Sequence, residues 1–405
     1  MKVLLVNKFH WLKGGSEKYY FELAELLKEH GHEVAFFSMK DEKNITTGDK
    51  EYFVDKIDLN TGSKLKALDV IYSKANKKKM KEALDDFKPN IVHINNFQRQ
   101  LSASIIDAIK EKNIPIVYTA HDMNAICPAS AMLYDGKICE ECIQKGYNSC
   151  IKKSCIKGSK LKSALGVLEK KYYDKRKIFK KIDCIISPSQ FIENQFKKGK
   201  LKYSKIKILH NFVNKTKVNN EHIGDYAFYF GRLSIEKGII NVINAISQIS
   251  NGKLLIAGDG PEKENIEKFI KENNLEKRIV LLGYLEQEQI RKYISKSRFV
   301  VVPSIWYENC PYSILETMEI GKPIIGSRIG GIPELIENNV NGYLYEYDDI
   351  KALKDNMKKL FDDEKLVKKF SIESKKIFEK KYNSTEYYNK LIEIYEQLIK
   401  EKTNV

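Results

Sequence analysis

No stretch of this 405-residue chain approaches the roughly 20 consecutive apolar residues that a membrane-spanning helix requires. The opening run Met1-Lys-Val-Leu-Leu-Val-Asn7 is also too short for a signal peptide's apolar segment, and reads instead as a first buried strand. Lacking both features, the protein is expected in the cytoplasm with its thiols reduced. Aromatic residues make up 11% of the chain but do not interleave with Lys and Arg in one segment, which argues against a nucleic-acid partner.

At 405 residues the chain exceeds what one hydrophobic core supports, so two domains are expected. A composition of 42% hydrophobic and 31% charged residues is that of an ordinary globular protein. The net charge of +16 has two readings. One is a lysine-rich composition spread over exposed helices. The other is attraction to phosphate-bearing ligands or to the inner face of an anionic membrane.

Strand, turn and helix alternate throughout. Lys2–Val6 precedes Gly14-Gly15-Ser16, and a helix follows with Tyr20, Leu23, Ala24 and Leu27 on one face. Gly31 stops that helix, and strands are expected at Val34–Phe37, Ile91–Ile94, Ile116–Ala120, Cys184–Ser187 and Ile206–Leu209. The pattern restarts with Ala227–Phe230, Leu254–Ala257, Ile279–Leu282, Phe299–Val302 and Ile324–Gly326. Such alternation predicts an α/β fold of two Rossmann-like, doubly wound parallel-sheet domains. Expected boundaries are 1–215, with a cysteine-rich insertion at about 127–155, and 222–384, joined by the polar linker Asn214–Asp225. Residues 385–405 are expected to form a last helix with Tyr387, Leu391, Ile394 and Leu398 as its apolar stripe, packing back on the first domain.

Doubly wound sheets bind ligands beyond the carboxyl ends of their strands, where the unusual motifs of this chain fall. Glu308 lies in a loop before a helix opening near Pro311 or Tyr312, and Glu316 lies about one turn inside. Taken alone, Glu308 also reads as a helix cap and Glu316 as a solvated helix residue. In Gly231-Arg232 and Lys237-Gly238, two cations follow a strand, where positive charge suits a departing diphosphate. Gly14-Gly15-Ser16-Glu17 opens a helix whose free N–H groups favour an anion. His121 ends a strand. Gly258, Gly260, Gly283 and Tyr284 follow two more, where a close ligand backbone or a tight turn both call for glycine.

Together with Gly31-His32-Glu33-Val34, Ser187-Pro188-Ser189 and Gly330-Gly331-Ile-Pro-Glu334, these motifs resemble glycosyltransferase family four, retaining enzymes with the GT-B fold. The resemblance spans nearly the whole chain in family order. It implies two domains facing across a cleft, the first holding an acceptor and the second a UDP- or GDP-sugar. It further implies that Arg232 and Lys237 neutralise the diphosphate, Glu316 grips the ribose and Glu308 contacts the donor sugar. Gly15 would approach the diphosphate, with His121 near the transferred sugar, and no cofactor or catalytic metal is needed. Lipid-linked or saccharide acceptors in capsular, exopolysaccharide or lipopolysaccharide assembly fit, with peripheral contact at an anionic membrane. Asn309, Cys310 and Pro311 depart from the family's Gly and Phe after the first Glu, and Pro311 removes one backbone donor.

Cys127, Cys139, Cys142, Cys150 and Cys155 cluster in sequence, and the two-residue spacing of Cys139 and Cys142 suits a structural zinc completed by Cys150 and Cys155. A thiol-rich insertion without metal is the other reading. Two alternatives to the transferase stand: a GT-B sugar-nucleotide epimerase, and a zinc-containing nucleic-acid-binding protein.

Overall fold

Short runs such as Val3–Val6 and Phe299–Val302 are apolar at every position, so as strands they must be covered on both faces. The computed structural model, which describes residues 1–57, 68–199, 201, 205–215, 218 and 223–403, satisfies this with two parallel sheets. Half of the expected linker, at 216–217 and 219–222, lies outside the described residues. Two compact units result: Met1–Tyr134, Cys139–His210 and Tyr387–Val405 form one, and Asp135–Ile138 with Asn211–Glu386 form the other.

The first unit carries β1 (Lys2–Val6), β2 (Glu33–Met39), β3 (Lys50–Val54), β4 (Ile91–Ile94) and β5 (Ile116–Thr119). β6 (Leu133–Tyr134) follows, then β8 (Cys184–Ser187) and β9 (Ile206–Ile208), while β7 (Lys137–Ile138) falls in the other unit. The seven-stranded sheet runs β3-β2-β1-β4-β5-β8-β9. Helix Gly15–Glu29 buries Tyr19 and Leu26 besides the four residues its periodicity marks, and Gly31 follows at φ +76°. The terminal helix Ser384–Thr403 belongs to this unit from Tyr387 onward. It buries Tyr387, Leu391, Tyr395 and Leu398, so Tyr395 rather than Ile394 completes the stripe. The Tyr395 hydroxyl bonds His93 Nδ1 inside the unit, which an isoleucine has no group to do.

The second unit holds β10 (Tyr226–Phe230), β11 (Lys253–Ala257), β12 (Ile279–Gly283), β13 (Phe299–Val302), β14 (Ile324–Ser327) and β15 (Gly342–Tyr345). Their order is β12-β11-β10-β13-β14-β15, every pairing parallel. Sequence reading overlooks β3 and β15, and both are edge strands. β3 buries only Val54, so no continuous apolar run announces it. Among the described residues, no helix is long and apolar enough to cross a membrane.

His93, on β4, is fully buried, with Nε2 2.7 Å from Thr119 Oγ1. Burial, and secondarily the charge of His121, push its pKa from 6.5 down to about 3. The unfolded chain therefore takes up a proton below pH 6.5 that the folded chain refuses until about pH 3. Stability is whole above that window and declines as acid enters it. His93→Gln should flatten the dependence of unfolding free energy on pH by close to one proton, about 1.4 kcal/mol per pH unit. Urea denaturation across that range measures the slope, and an unchanged slope would assign the proton uptake elsewhere.

Candidate active site

The loops beyond the strands of the second unit lock into one another through their backbones. Gly231 N–H donates to the Ala257 carbonyl (3.0 Å), Gly258 N–H to Gly283 (2.7 Å) and Leu233 N–H to Asp259 (2.9 Å). A Cβ on Gly258 would stand 1.9 Å from the Gly231 carbonyl oxygen, and one on Gly260 2.2 Å from that of Leu233. These glycines are therefore needed to let two loops approach, whatever they later do for a ligand.

Glu308 sits at the centre of this loop cluster. Lys237 Nζ (2.6 Å), Ser304 Oγ (2.6 Å) and Trp306 Nε1 (2.8 Å) all donate to its Oε1. Lys237 also lies 5.2 Å from the Trp306 ring centroid. Burial by itself would raise the Glu308 pKa, but the Lys237 charge and the three hydrogen bonds outweigh it and hold the carboxyl below its ordinary range. The buried group is thus an anion, and its Oε2 accepts no hydrogen bond among the described residues. Arg232, exposed in the same loop as Lys237, has no ion pair among the described residues.

Glu316 lies inside helix Tyr312–Ile320, buried, with Gln287 Nε2 donating to its Oε1 at 2.8 Å. It is not a solvated helix residue. Pro311 caps that helix at φ −68°, and neighbouring Cys310 is buried, with its thiol pushed up to about 12 by that burial. Tyr284 is 72% exposed and Asn309 half-buried, both in this unit with Gly283.

Of the remaining sequence-predicted residues, Gly15 and His121 belong to the first unit. Gly15 is exposed at the start of its helix, after an extended Gly14. His121 Nε2 pairs with Asn95 Oδ1 at 2.8 Å and its ring meets Tyr19 edge-on at 4.8 Å. Burial pushes its pKa down to about 3, so it is a neutral hydrogen-bonding group near pH 7. In the cysteine insertion, buried Cys150 packs in one small apolar cluster with Cys142 and Cys155. Cys139 Sγ accepts from Lys153 Nζ at 3.7 Å. Among the described residues, no three His, Cys, Asp or Glu side chains are arranged to hold one metal ion.

Sequence reading missed Ser304, Trp306 and Gln287, which fix the two carboxylates. Ser304 and Trp306 stand four and two residues before Glu308, and a turn after a strand brings such neighbours together, so a signal existed. Gln287 is 29 residues from Glu316 and carried none.

The family model described as Glycosyltransferase Family 4 matches residues 13–217, and that described as Glycosyl transferases group 1 matches residues 213–377. An uncharacterized glycosyltransferase of Methanocaldococcus jannaschii is 35% identical over 219 residues, covering 53% of this chain and 60% of its own length. The amylovoran biosynthesis glycosyltransferase AmsK of Erwinia amylovora is 31% identical over 176 residues, 41% of this chain and 43% of its own. The chain thus matches about half the length of these relatives. Among solved structures, sucrose-phosphate synthase from Thermosynechococcus elongatus aligns with TM-score 0.73 at 18% identity over 98% of both chains. Anabaena HepE in complex with UDP aligns with TM-score 0.70 at 16% identity, over 98% of this chain and all of that one. At such identities the likeness is one of fold.

Gly330, at φ +59°, lies where a Cβ would come within 2.2 Å of the Glu308 carbonyl oxygen, while Gly331 N–H donates to that oxygen at 2.8 Å. Gly330→Ala should therefore cost about 1–3 kcal/mol and displace the Glu308 loop. Thermal unfolding measures the first effect. A melting temperature equal to that of the parent would mean the loop yields freely.

Proposed function

Because this chain belongs to glycosyltransferase family 4, we propose that its second unit binds a nucleotide-diphosphate sugar and that the protein transfers the sugar, with retention, to an acceptor hydroxyl. The observation that carries this reading is the Lys237–Glu308 pair beside exposed Arg232 at the carboxyl ends of a parallel sheet. In the reaction the bond from the anomeric carbon to the diphosphate oxygen breaks and a bond to the acceptor oxygen forms on the same face. The acceptor's proton passes to the departing phosphate. Negative charge grows on the diphosphate, and Lys237 and Arg232 neutralise it, a fork and a point charge supplying what the leaving group needs. The charge compensation comes from side chains in this reading rather than from a catalytic metal.

Glu308 serves twice. Its Oε1 fixes the Lys237 ammonium, and its open Oε2 is an acceptor for a donor-sugar hydroxyl. Glu316, steadied by Gln287, accepts from the two ribose hydroxyls, and the glycines Gly231, Gly258, Gly260 and Gly283 with Tyr284 and Asn309 line the nucleotide's path. Gly15 and neutral His121, in the first unit, are assigned to the diphosphate and the transferred sugar by the family resemblance alone. UDP bound in Anabaena HepE supports a uridine nucleotide, and the likeness to a protein of amylovoran biosynthesis supports a saccharide or lipid-linked acceptor in surface-polysaccharide assembly. Work at the inner membrane face belongs to the same reading, as does a structural zinc at Cys139, Cys142, Cys150 and Cys155. The described side chains form no three-ligand set for that zinc, and elemental analysis far below one zinc per chain removes it.

A thermal-shift screen over nucleotide-sugars should single out the donor, whose binding stabilises the folded state by mass action. With that donor, nucleotide release should require acceptor, and proton NMR of the product should give the donor's anomeric configuration. Lys237→Ala should lower kcat by about 10²-fold, as loss of one transition-state charge contact does. Steady-state kinetics near the parent rate would remove the assignment. Glu316→Ala should instead weaken donor binding by about tenfold, the worth of a charged hydrogen bond, which calorimetry reads directly.

A further inference from the structure

The first unit contains a second concave site that the donor chemistry leaves unused. Beyond the carboxyl ends of β1 and β2, a cavity of about 500 Å³ opens among described residues of this unit alone. That volume suits a small molecule. Its wall carries Lys8, Lys13, Lys43, Arg99, Lys157 and Lys162. Lys56 lies there too, but it is paired with Asp41 at 2.7 Å. The other carboxylate lining the cavity, Glu169, is also engaged: it accepts from Arg99 N–H (2.7 Å) and the Tyr173 hydroxyl (2.8 Å). Among the described residues positive charge is therefore in excess, and the carboxylates of the wall are committed.

Lys8 makes the point most sharply. Among the described residues its ammonium has neither a hydrogen bond nor an ion pair, only the Phe9 ring at 4.6 Å. Burial, then the Arg99 charge, lower its pKa, against weaker opposing pulls from Asp122 and Glu17. A cation held this way gains from any anion that enters. Phe9 and Trp11, with centroids 4.7 Å apart, supply an apolar wall beside it, and Lys13 lies 3.9 Å over Phe9.

We propose that this cavity holds the anionic part of the acceptor, a phosphate or diphosphate attached to a sugar, with the sugar ring against Phe9 and Trp11. The proposal rests on the reading of the first unit as the acceptor side. It adds that the acceptor is selected by charge.

Trp11 and Trp306 are the chain's two tryptophans, so the full chain carrying Trp306→Phe reports from the cavity alone. Titration with glucose 1-phosphate should change its fluorescence saturably, and Lys8→Gln should weaken that affinity by about tenfold. Methyl glucoside, the same ring without the anion, should give no saturable change. Lys43→Gln with Lys157→Gln, both exposed, is the second variant if Lys8→Gln does not fold. It should weaken binding and flatten its salt dependence. Phosphatidylglycerol vesicles, against phosphatidylcholine ones, separate the sources. A response to the anionic vesicles alone assigns the anion to a lipid headgroup, one to glucose 1-phosphate alone to a free phosphosugar, and one to both to the phosphate they share. Silence to both, an equal response to the neutral glucoside, or affinity indifferent to both variants would overturn the proposal. Stabilisation by nucleotide-sugar, measured separately with and without Lys237→Ala, reports on the transferase reading, so the failure of one is distinguishable from the failure of the other.

Discussion

A buried carboxylate is costly unless cations and hydrogen bonds surround it, and Glu308 is the place where this chain meets that cost. With one partner removed from such a pair, the remaining buried charge destabilises by about 3–5 kcal/mol. Exposed pairs such as Lys253–Asp225, with side chains 51% and 69% exposed, fall near the 0–1 kcal/mol typical of surface bridges. The Lys237–Glu308 contact, at 27% and 8%, lies toward the buried end. It therefore has the leverage to fix two loops that are far apart in the chain.

The glycines follow from that requirement. Gly330 lets its segment lie against the Glu308 backbone, and Gly238 sits where a Cβ would meet the Pro303 carbonyl oxygen at 2.1 Å. One glycine thus closes the loop carrying Lys237 against the strand end that leads to Glu308. The fixed ammonium gains its position before any substrate arrives, which is what electrostatic preorganisation asks of a site.

The net charge acquires a location only in three dimensions. Many lysines form ordinary exposed pairs along helices, such as Lys368 with Glu364 and Lys292 with Glu288, and carry no further meaning. The cations around the first unit's cavity are different, because its carboxylates are already taken. Such pairs account for the first reading of the +16 charge, and the cavity is where we place the second.

What the sequence alone determined is local in origin. Apolar runs marked the inner strands, periodicity marked the first helix, and the motifs after strands marked the loops that hold Arg232, Lys237, Glu308 and Glu316. Edge strands β3 and β15 escaped because a strand paired on one side needs no continuous apolar run, and Ile394 was mistaken for Tyr395 because a stripe does not say which neighbour will find a buried partner. Tertiary structure decided the rest: that Ser304 and Trp306 join Lys237 on one oxygen, that Gln287 steadies Glu316, and that Lys8 and Arg99 face one cavity. Lys237 and Glu308 are 71 residues apart, and convergence over such distances is set by how loops pack rather than by any pattern within them.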